Sequence, residues 1–290
     1  MEVGSSIGSS SGVAPPEEAP SVPYADYQAV RTLGRGGSAV ATLIEHQETK
    51  RKLVAKDIPL TAETNVQSVL TEMRVLKELR HPHIVAYQAS YMLNDATLRI
   101  VMEYASGGSI ASAVLARTQA GAHFATDVVK TWLVQSADAL VYVHSQGVLH
   151  RDIKPENLLL TAQGAIKLAD FGTSRILGSR SAASTVCGTP EYLSPELTKG
   201  EAYSQPSDVW ALGCVLFELL TLKRAFGWNG SFVELVKAIS VCGYDDSALA
   251  AAAPHHPEAL LALPTRQALL HPEPGGRMTL QHLAARLRQM

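Results

Sequence analysis

The chain has few cysteines, few aromatic residues and no long apolar run. Its three cysteines are an odd number without CxxC spacing, which argues against a disulfide scaffold and against a zinc site. The longest unbroken apolar stretch in a helical pattern, 209–217, has nine residues, whereas a membrane-spanning helix needs about 20. We therefore expect an intracellular protein with reduced thiols and no membrane insertion.

An excess of charge of either sign is also absent. The chain has 25 Lys and Arg residues against 27 Asp and Glu residues, a net charge of -2. Without a broad basic surface we expect no nucleic-acid partner, so any phosphate chemistry must use a local site. The N-terminus lacks a signal-peptide pattern, and Glu2 replaces the glycine that myristoylation requires. These absences favour a cytoplasmic location.

The composition divides the chain into a leader and a folded region. Residues 1–25 are dominated by Ser, Gly, Pro, Ala and Glu and are expected to be a disordered leader, because they cannot bury enough apolar surface to fold. From 26 to about 105, β-type runs predict antiparallel strands with one main helix at 68–80. From about 106 to 290 the pattern is mostly helical.

Within this second part, two helices and one loop are predicted. A helix is expected at 127–146, with Thr126 as the candidate N-cap. A second helix, at 209–222, is apolar nearly all round and should therefore be buried. The Ala-, Pro- and His-rich segment 247–257 is predicted to be a surface loop.

A glycine-rich segment lies between two predicted strands. Glycines there would let backbone N–H groups approach phosphate oxygens closely. The pattern alone is equally typical of a hairpin turn. The segment consists of Gly34, Gly36, Gly37, Ser38 and Ala39.

Two further motifs are more specific. The run HRDIKPEN, from His150 to Asn157, has five informative positions, so a chance match in a chain of this length is about 1 in 10,000. The run DFG, from Asp170 to Gly172, contributes a carboxylate, a hard oxygen ligand suited to Mg²⁺.

In chain order these segments resemble the signature motifs of eukaryotic protein kinases, together with Lys56 in VAK, Glu72 and the SPE run at 194–196. The resemblance implies an α+β, bilobal kinase fold: a small antiparallel-sheet N-lobe with one main helix (26–105) and a larger, mostly helical C-lobe (106–290). Lys154 is typical of Ser/Thr kinases. The runs IVMEYASGGSI and GTPEYLSPEL look most similar to the NIMA-related kinases, which adds a cytoskeletal association to the expected location.

The resemblance implies transfer of the γ-phosphate of Mg-ATP to Ser or Thr hydroxyls of protein substrates. Lys56, anchored by Glu72, would neutralise the α- and β-phosphates. Asp152 would orient the acceptor hydroxyl and accept its proton, and Lys154 would steady the transferred phosphate. The implied Mg²⁺ ligands are Asn157 and Asp170.

The same resemblance assigns nucleotide-binding and regulatory positions. The backbone of Glu103 and Ala105 would contact adenine, with Met102 at the back of the pocket. Thr185 matches the usual phosphorylation position, and its phosphate would pair with Arg151. The other implied nucleotide contacts are Leu33, Gly34, Gly36, Gly37, Ser38, Ala39, Ala41, Lys56 and Leu159.

Structural roles and departures complete the comparison. Glu196 is expected to pair with Arg277, and Asp208 to support the backbone of the HRD segment. Ala39 stands where the third glycine usually lies, and Ala41 where a valine usually packs on adenine. The alternative is therefore a nucleotide-binding pseudokinase or scaffold with weak activity. A pure interaction module would explain none of the charged positions, and the oligomeric state is not predicted.

Overall fold

The computed structural model describes residues 24–36, 39–62, 64–176, 189–227 and 230–290. The strands are β1 (Tyr27–Gly36), β2 (Ala39–His46), β3 (Lys52–Pro59), β4 (Tyr87–Asn94), β5 (Thr97–Glu103), β6 (Val148–Leu149), β7 (Leu158–Leu160), β8 (Ile166–Leu168) and β9 (Arg175–Ile176). The α-helices are α1 (Val66–Glu78), α2 (Ile110–Ala120), α3 (Thr126–Ser145), α4 (Pro195–Thr198), α5 (Gln205–Thr221), α6 (Phe232–Ser240), α7 (Asp246–Ala252), α8 (Glu258–Leu261) and α9 (Leu280–Gln289).

The N-lobe contains an antiparallel sheet in the order β1-β2-β3-β5-β4. Its central strand is β3, where Lys56 pairs with Ala41 on β2 and with Ile100 on β5. Ala55 and Ile100 are fully buried. Neighbours on both sides therefore fix the position of Lys56.

Helix α1 packs across this sheet. It begins two residues before the predicted start and ends two before the predicted end. Val69 and Met73 lie against the buried cluster formed by Ile58, Leu98 and Ile100. This contact brings Glu72 of α1 towards Lys56 on β3.

The C-lobe is built around α5, as its apolar sequence predicts. Almost every residue of this helix is buried, including Asp208 and Trp210. Helix α3 packs against α5 and α9, and the hairpin β7–β8 lies against α3. The α+β, two-lobed architecture predicted from the sequence is confirmed.

Two local predictions in the C-lobe are wrong. Thr126 does not cap α3; Ala125 is the N-cap, and the Thr126 hydroxyl lies 3.4 Å from the carbonyl oxygen of His255. The segment expected to be a loop instead contains α7, whose N-cap Asp245 accepts the backbone N–H of Ser247 at 3.0 Å. Alanine has the best intrinsic helix propensity, and its small side chain lets α7 pack against α5.

Candidate active site

Lys56 lies between two carboxylates from different parts of the chain. Its Nζ is 2.5 Å from Oε1 of Glu72, on α1, and 3.2 Å from Oδ1 of Asp170, just after β8. Burial disfavours the charged amine, yet Asp170 and Glu72 together raise the pKa of Lys56. Burial raises the pKa of Glu72 against the opposing effect of Lys56. For Asp170, burial acts to raise the pKa, but the opposing interactions, chiefly those with Lys56, lower it overall.

Gly172 allows this close approach. A Cβ atom built there would lie 3.2 Å from both Oδ1 of Asp170 and Oε2 of Glu72. Because such contacts are tighter than most real Cβ contacts, a side chain would push against the two carboxylates. The last residue of the DFG motif therefore has a packing reason to be glycine.

A second group of charged residues surrounds Asp152. Its Oδ2 is 2.7 Å from Nζ of Lys154 and accepts Nδ2 of Asn157 at 2.9 Å. The Thr189 hydroxyl accepts Lys154 at 2.8 Å and lies within hydrogen-bond distance of Asp152, 3.2 Å from Oδ1. Asp152 is only 8% exposed. Lys154, Asn157 and Thr189 thus hold the Asp152 carboxylate in place.

Asp208 holds the backbone of the HRD segment, the loop that leads to Asp152. Its carboxylate accepts the N–H groups of His150 at 3.2 Å and Arg151 at 3.1 Å, and Nε2 of His144 lies 2.7 Å away. Arg151 has a φ of 72°, an unfavourable left-handed conformation for a residue other than glycine. The buried carboxylate therefore stabilises a strained turn immediately before Asp152.

Residues that the resemblance assigns to nucleotide binding lie on β1, β2 and β7 and just after β5. Leu33, Ala41 and Leu159 are half-buried, and Ala105 is buried. Gly34 on β1 pairs with Ala41 on β2.

Two residues at the end of β5 precede Ala105. The N–H of Glu103 donates to the carbonyl of Ala86 at 2.8 Å. Met102, one residue before the end of β5, packs against the N-lobe core.

Some predicted site residues lie outside the described part of the chain. They are Gly37, Ser38 and Thr185. Gly36 and Ala39 are described and pair with each other at the ends of β1 and β2.

Comparison with known proteins identifies the family. A family model described as the protein kinase domain matches residues 27–286. The chain belongs to the protein kinase family. The kinase is 40% identical over 217 residues to serine/threonine-protein kinase Nek1 of Mus musculus, covering 74% of this chain and 18% of that protein. It is 42% identical over 203 residues to serine/threonine-protein kinase Nek8 of Danio rerio, covering 69% and 29%.

A shorter relative gives the same result. The kinase is 39% identical over 213 residues to serine/threonine-protein kinase nekl-2 of Caenorhabditis elegans, covering 69% of this chain and 59% of that protein. The predicted resemblance to the NIMA-related kinases is confirmed. The matched part spans between about a fifth and three fifths of these relatives.

The expected pairing of Glu196 with Arg277 is present. Nη2 of Arg277 is 2.6 Å from Oε2 of Glu196, and Nη1 is 2.8 Å from Oε1, so the contact is bidentate. Both side chains are almost fully buried, and the guanidinium faces the ring of Trp210 at 5.0 Å. Arg277 and the Ser207 hydroxyl outweigh burial and lower the pKa of Glu196.

Sequence reasoning missed two residues that complete the kinase site. Thr189, which bonds both Asp152 and Lys154, lies in the GTPEYLSPEL run, where the sequence assigned it no role in the site. Lys167 on β8 lies 2.9 Å from Oε2 of Glu103 and so links the C-lobe to the interlobe junction. No local motif signals Lys167, because its partner is 64 positions away.

His150 also has a position that the motif alone does not explain. Its Nε2 lies 3.0 Å from the carbonyl of Ala169, and its Nδ1 accepts the N–H of Asp152 at 3.3 Å. Burial lowers the pKa of His150, which favours the neutral ring that this pattern of one donor and one acceptor requires. The ring therefore connects Asp152 to the residue preceding Asp170.

Proposed function

We propose that the chain is an Mg-ATP-dependent kinase that phosphorylates Ser or Thr hydroxyls of protein substrates. The observation that carries this proposal is the placement of Lys56 against both Glu72 and Asp170, while Asp152 contacts both Lys154 and Asn157. These are the charged groups that positioning and charge stabilisation in phosphoryl transfer require.

The oxygen atoms of Asp170 and Asn157 fit Mg²⁺. Both are hard ligands, and the Asn157 amide donates to Asp152 through Nδ2, which leaves Oδ1 as its acceptor. In the part of the chain that the structure describes, no three His, Cys, Asp or Glu side chains form a preformed metal cluster. A site with only a few protein ligands is suitable for Mg²⁺, because this ion is usually bound by one or two carboxylates together with substrate phosphates. When bound, the ion supplies charge neutralisation at those phosphates.

The chain's own residues account for the remaining chemistry. Asp152 orients the acceptor hydroxyl and takes its proton as the new oxygen–phosphorus bond forms. The bond between the γ-phosphorus and the bridging oxygen breaks, and ADP leaves. Lys56 and Lys154 stabilise the negative charge on the phosphates.

Regulation and location extend the proposal. Phosphorylation of Thr185 would supply an anion for Arg151. Among the described residues, no carboxylate forms an ion pair with Arg151. We further propose a cytoplasmic site of action with cytoskeletal association and no nucleic-acid partner. Among the described residues, no helix is both long enough and apolar enough to cross a membrane.

The test is phosphate transfer from labelled Mg-ATP to a generic Ser/Thr protein substrate after phosphorylation of the activation segment, the stretch between Asp170 and Glu196 that contains Thr185. Lys56→Met and Asp152→Asn should each lower turnover by at least about 100-fold, since charge stabilisation and base catalysis are each worth that much. Lys130→Met is the matched control, because Lys130 pairs with the exposed Asp127 on the same helix, α3. Wild-type transfer no greater than that of Asp152→Asn, with ATP still bound in calorimetry, would instead establish the pseudokinase alternative.

A further inference from the structure

Tyr203 contacts both the backbone anchor and the arginine of the HRD segment. It lies between α4 and α5, and its hydroxyl donates to Oδ1 of Asp208 at 2.6 Å. The same oxygen accepts the backbone N–H of Arg151. The Arg151 guanidinium faces the Tyr203 ring, 5.6 Å from its centre. One side chain thus contacts two groups that determine where the loop lies.

The Asp208 carboxylate depends on such donors for its position. It is fully buried, and its hydrogen-bonding groups are His144, Tyr203 and the backbone N–H groups of His150 and Arg151. A buried carboxylate with its hydrogen-bonding capacity filled has one stable orientation, because losing a donor leaves charge unsatisfied in a low-dielectric interior. The Tyr203 hydroxyl is the contact that reaches Asp208 from the α4–α5 connection.

The hydroxyl remains a donor over the physiological pH range. Burial and the Asp208 carboxylate hold the pKa of the Tyr203 phenol well above its ordinary value. The phenol therefore keeps its proton at neutral pH and can donate this hydrogen bond.

The Tyr203 ring provides a contact for the Arg151 side chain. Among the residues that the structure describes, no carboxylate forms an ion pair with Arg151, and its Nε is buried without a hydrogen-bond partner. An aromatic face attracts a guanidinium by about 0.5–1 kcal/mol at exposed sites and more when desolvated. Tyr203 and Arg151 also line one small cavity together with Asp152 and Thr189. Tyr203 and Asp152 therefore line the same cavity.

We propose that Tyr203 is a positioning residue for phosphoryl transfer. Its hydroxyl fixes the Asp208 carboxylate and its ring holds Arg151, so that the strained turn at Arg151 presents Asp152 in its working position. This inference rests on the proposed kinase function. Tyr203 itself does not touch the reacting atoms.

The test separates the hydroxyl from the ring and uses a matched tyrosine. Tyr203→Phe removes only the hydroxyl, and Tyr203→Leu also removes the aromatic face. Tyr244 is the control, since its hydroxyl accepts the N–H of Arg266 at 3.2 Å and its ring faces the Arg266 guanidinium at 5.1 Å. Tyr203→Phe should lower kcat by about 10-fold, the usual effect of one hydrogen bond to a charged group, and leave the KM for ATP within twofold. Tyr203→Leu should lower kcat further, whereas Tyr244→Phe should leave kcat unchanged.

Two outcomes overturn the inference. The first is an unchanged kcat in folded Tyr203→Phe while the wild type is active. The second is additivity of Tyr203→Leu and Arg151→Gln in a double-mutant cycle, because coupled residues must deviate from additivity. An inactive wild type would contradict the proposed function instead. Positioning would then be read from amide hydrogen exchange at 150–152, which must become faster in Tyr203→Phe than in Tyr244→Phe.

Discussion

Individual charged residues of this protein are placed by partners far away in sequence. Lys56 contacts Glu72 and Asp170, which are 16 and 114 positions away. Glu196 contacts Arg277, 81 positions away. The consequence differs between the two: Lys56 is 20% exposed in its side chain and remains available to a substrate, whereas Glu196 and Arg277 are sealed in the C-lobe.

The buried Glu196–Arg277 pair predicts a pH-dependent stability. Glu196→Gln should lower the free energy of unfolding at neutral pH by about 3–5 kcal/mol, because Arg277 is left buried without its counter-charge. Arg277 and Ser207 hold the pKa of Glu196 below its ordinary value of 4.5. Stability from a carboxyl with a lowered pKa is present above its unfolded pKa and lost as pH falls through its folded pKa. The difference between wild type and variant should therefore shrink below about pH 4.5.

Urea denaturation across pH 3–7 measures this difference. Asp138→Asn is the control, because its pair with Arg288 is largely exposed and should contribute about 0.2–1 kcal/mol at most. A Glu196→Gln deficit that stays constant from pH 7 to pH 3 would contradict the assignment of stability to ionised Glu196.

At the scale of elements, α5 organises the C-lobe because it is apolar on all sides. Its one glycine, Gly213, marks the point of closest approach to the chain segment before α9. A Cβ atom at Gly213 would lie 2.9 Å from Cβ of Leu269 and 3.0 Å from Cδ2 of Leu270. The first of these atoms is fixed to the backbone, so side-chain rotation cannot relieve the contact.

Gly213→Ala should therefore destabilise the protein. The gain in helix propensity is about 1 kcal/mol, and overpacking of a core typically costs about 1–3 kcal/mol. We expect a net loss of up to about 2 kcal/mol, seen as a lower melting temperature. Gly275→Ala is the control, since nothing lies within 4 Å of its Cβ position. Equal melting temperatures for the Gly213 variant and wild type would show that Leu269 can move away.

At the scale of the whole molecule, the two lobes bring their functional groups to one junction. The N-lobe contributes Lys56 and Glu72, and the C-lobe contributes Asp152, Asn157 and Asp170. An ion pair between Lys167 and Glu103 also joins the two lobes. Activity therefore depends on the relation between lobes as well as on each site residue.

The activation segment supplies the prediction at this scale. Thr185→Ala should lower turnover about 10-fold or more, because a phosphate at that position would pair with Arg151 through charge-assisted hydrogen bonds. Turnover is compared between phosphorylated and phosphatase-treated protein, with the neighbouring Ser184→Ala as control. In Arg151→Gln the two preparations should become equal. A phosphate-free wild type that turns over as fast as the phosphorylated protein would refute the prediction.

The sequence by itself determined the fold class and the family, and it predicts which charged residues form the site. Motifs such as HRDIKPEN and DFG contain those residues within short runs, and alternating or helical apolar patterns place the runs on strands, loops and helices. The helix at 209–222 could be predicted for the same reason, because an all-apolar surface has no stable place except the core.

Only the tertiary structure decided the contacts of Thr189, Lys167 and Tyr203 with distant chain segments. Their partners Asp152, Glu103 and Arg151 are related to them by no local pattern. Segment 247–257 shows the same limit. Its composition predicts a loop, whereas burial of Ala248, Leu249 and Ala252 in a helix packed against α5 favours α7. The few cysteines argued against a disulfide scaffold and a zinc site, and the near-zero net charge argued against a nucleic-acid partner. Long-range packing and pairing of opposite charges positioned the site residues.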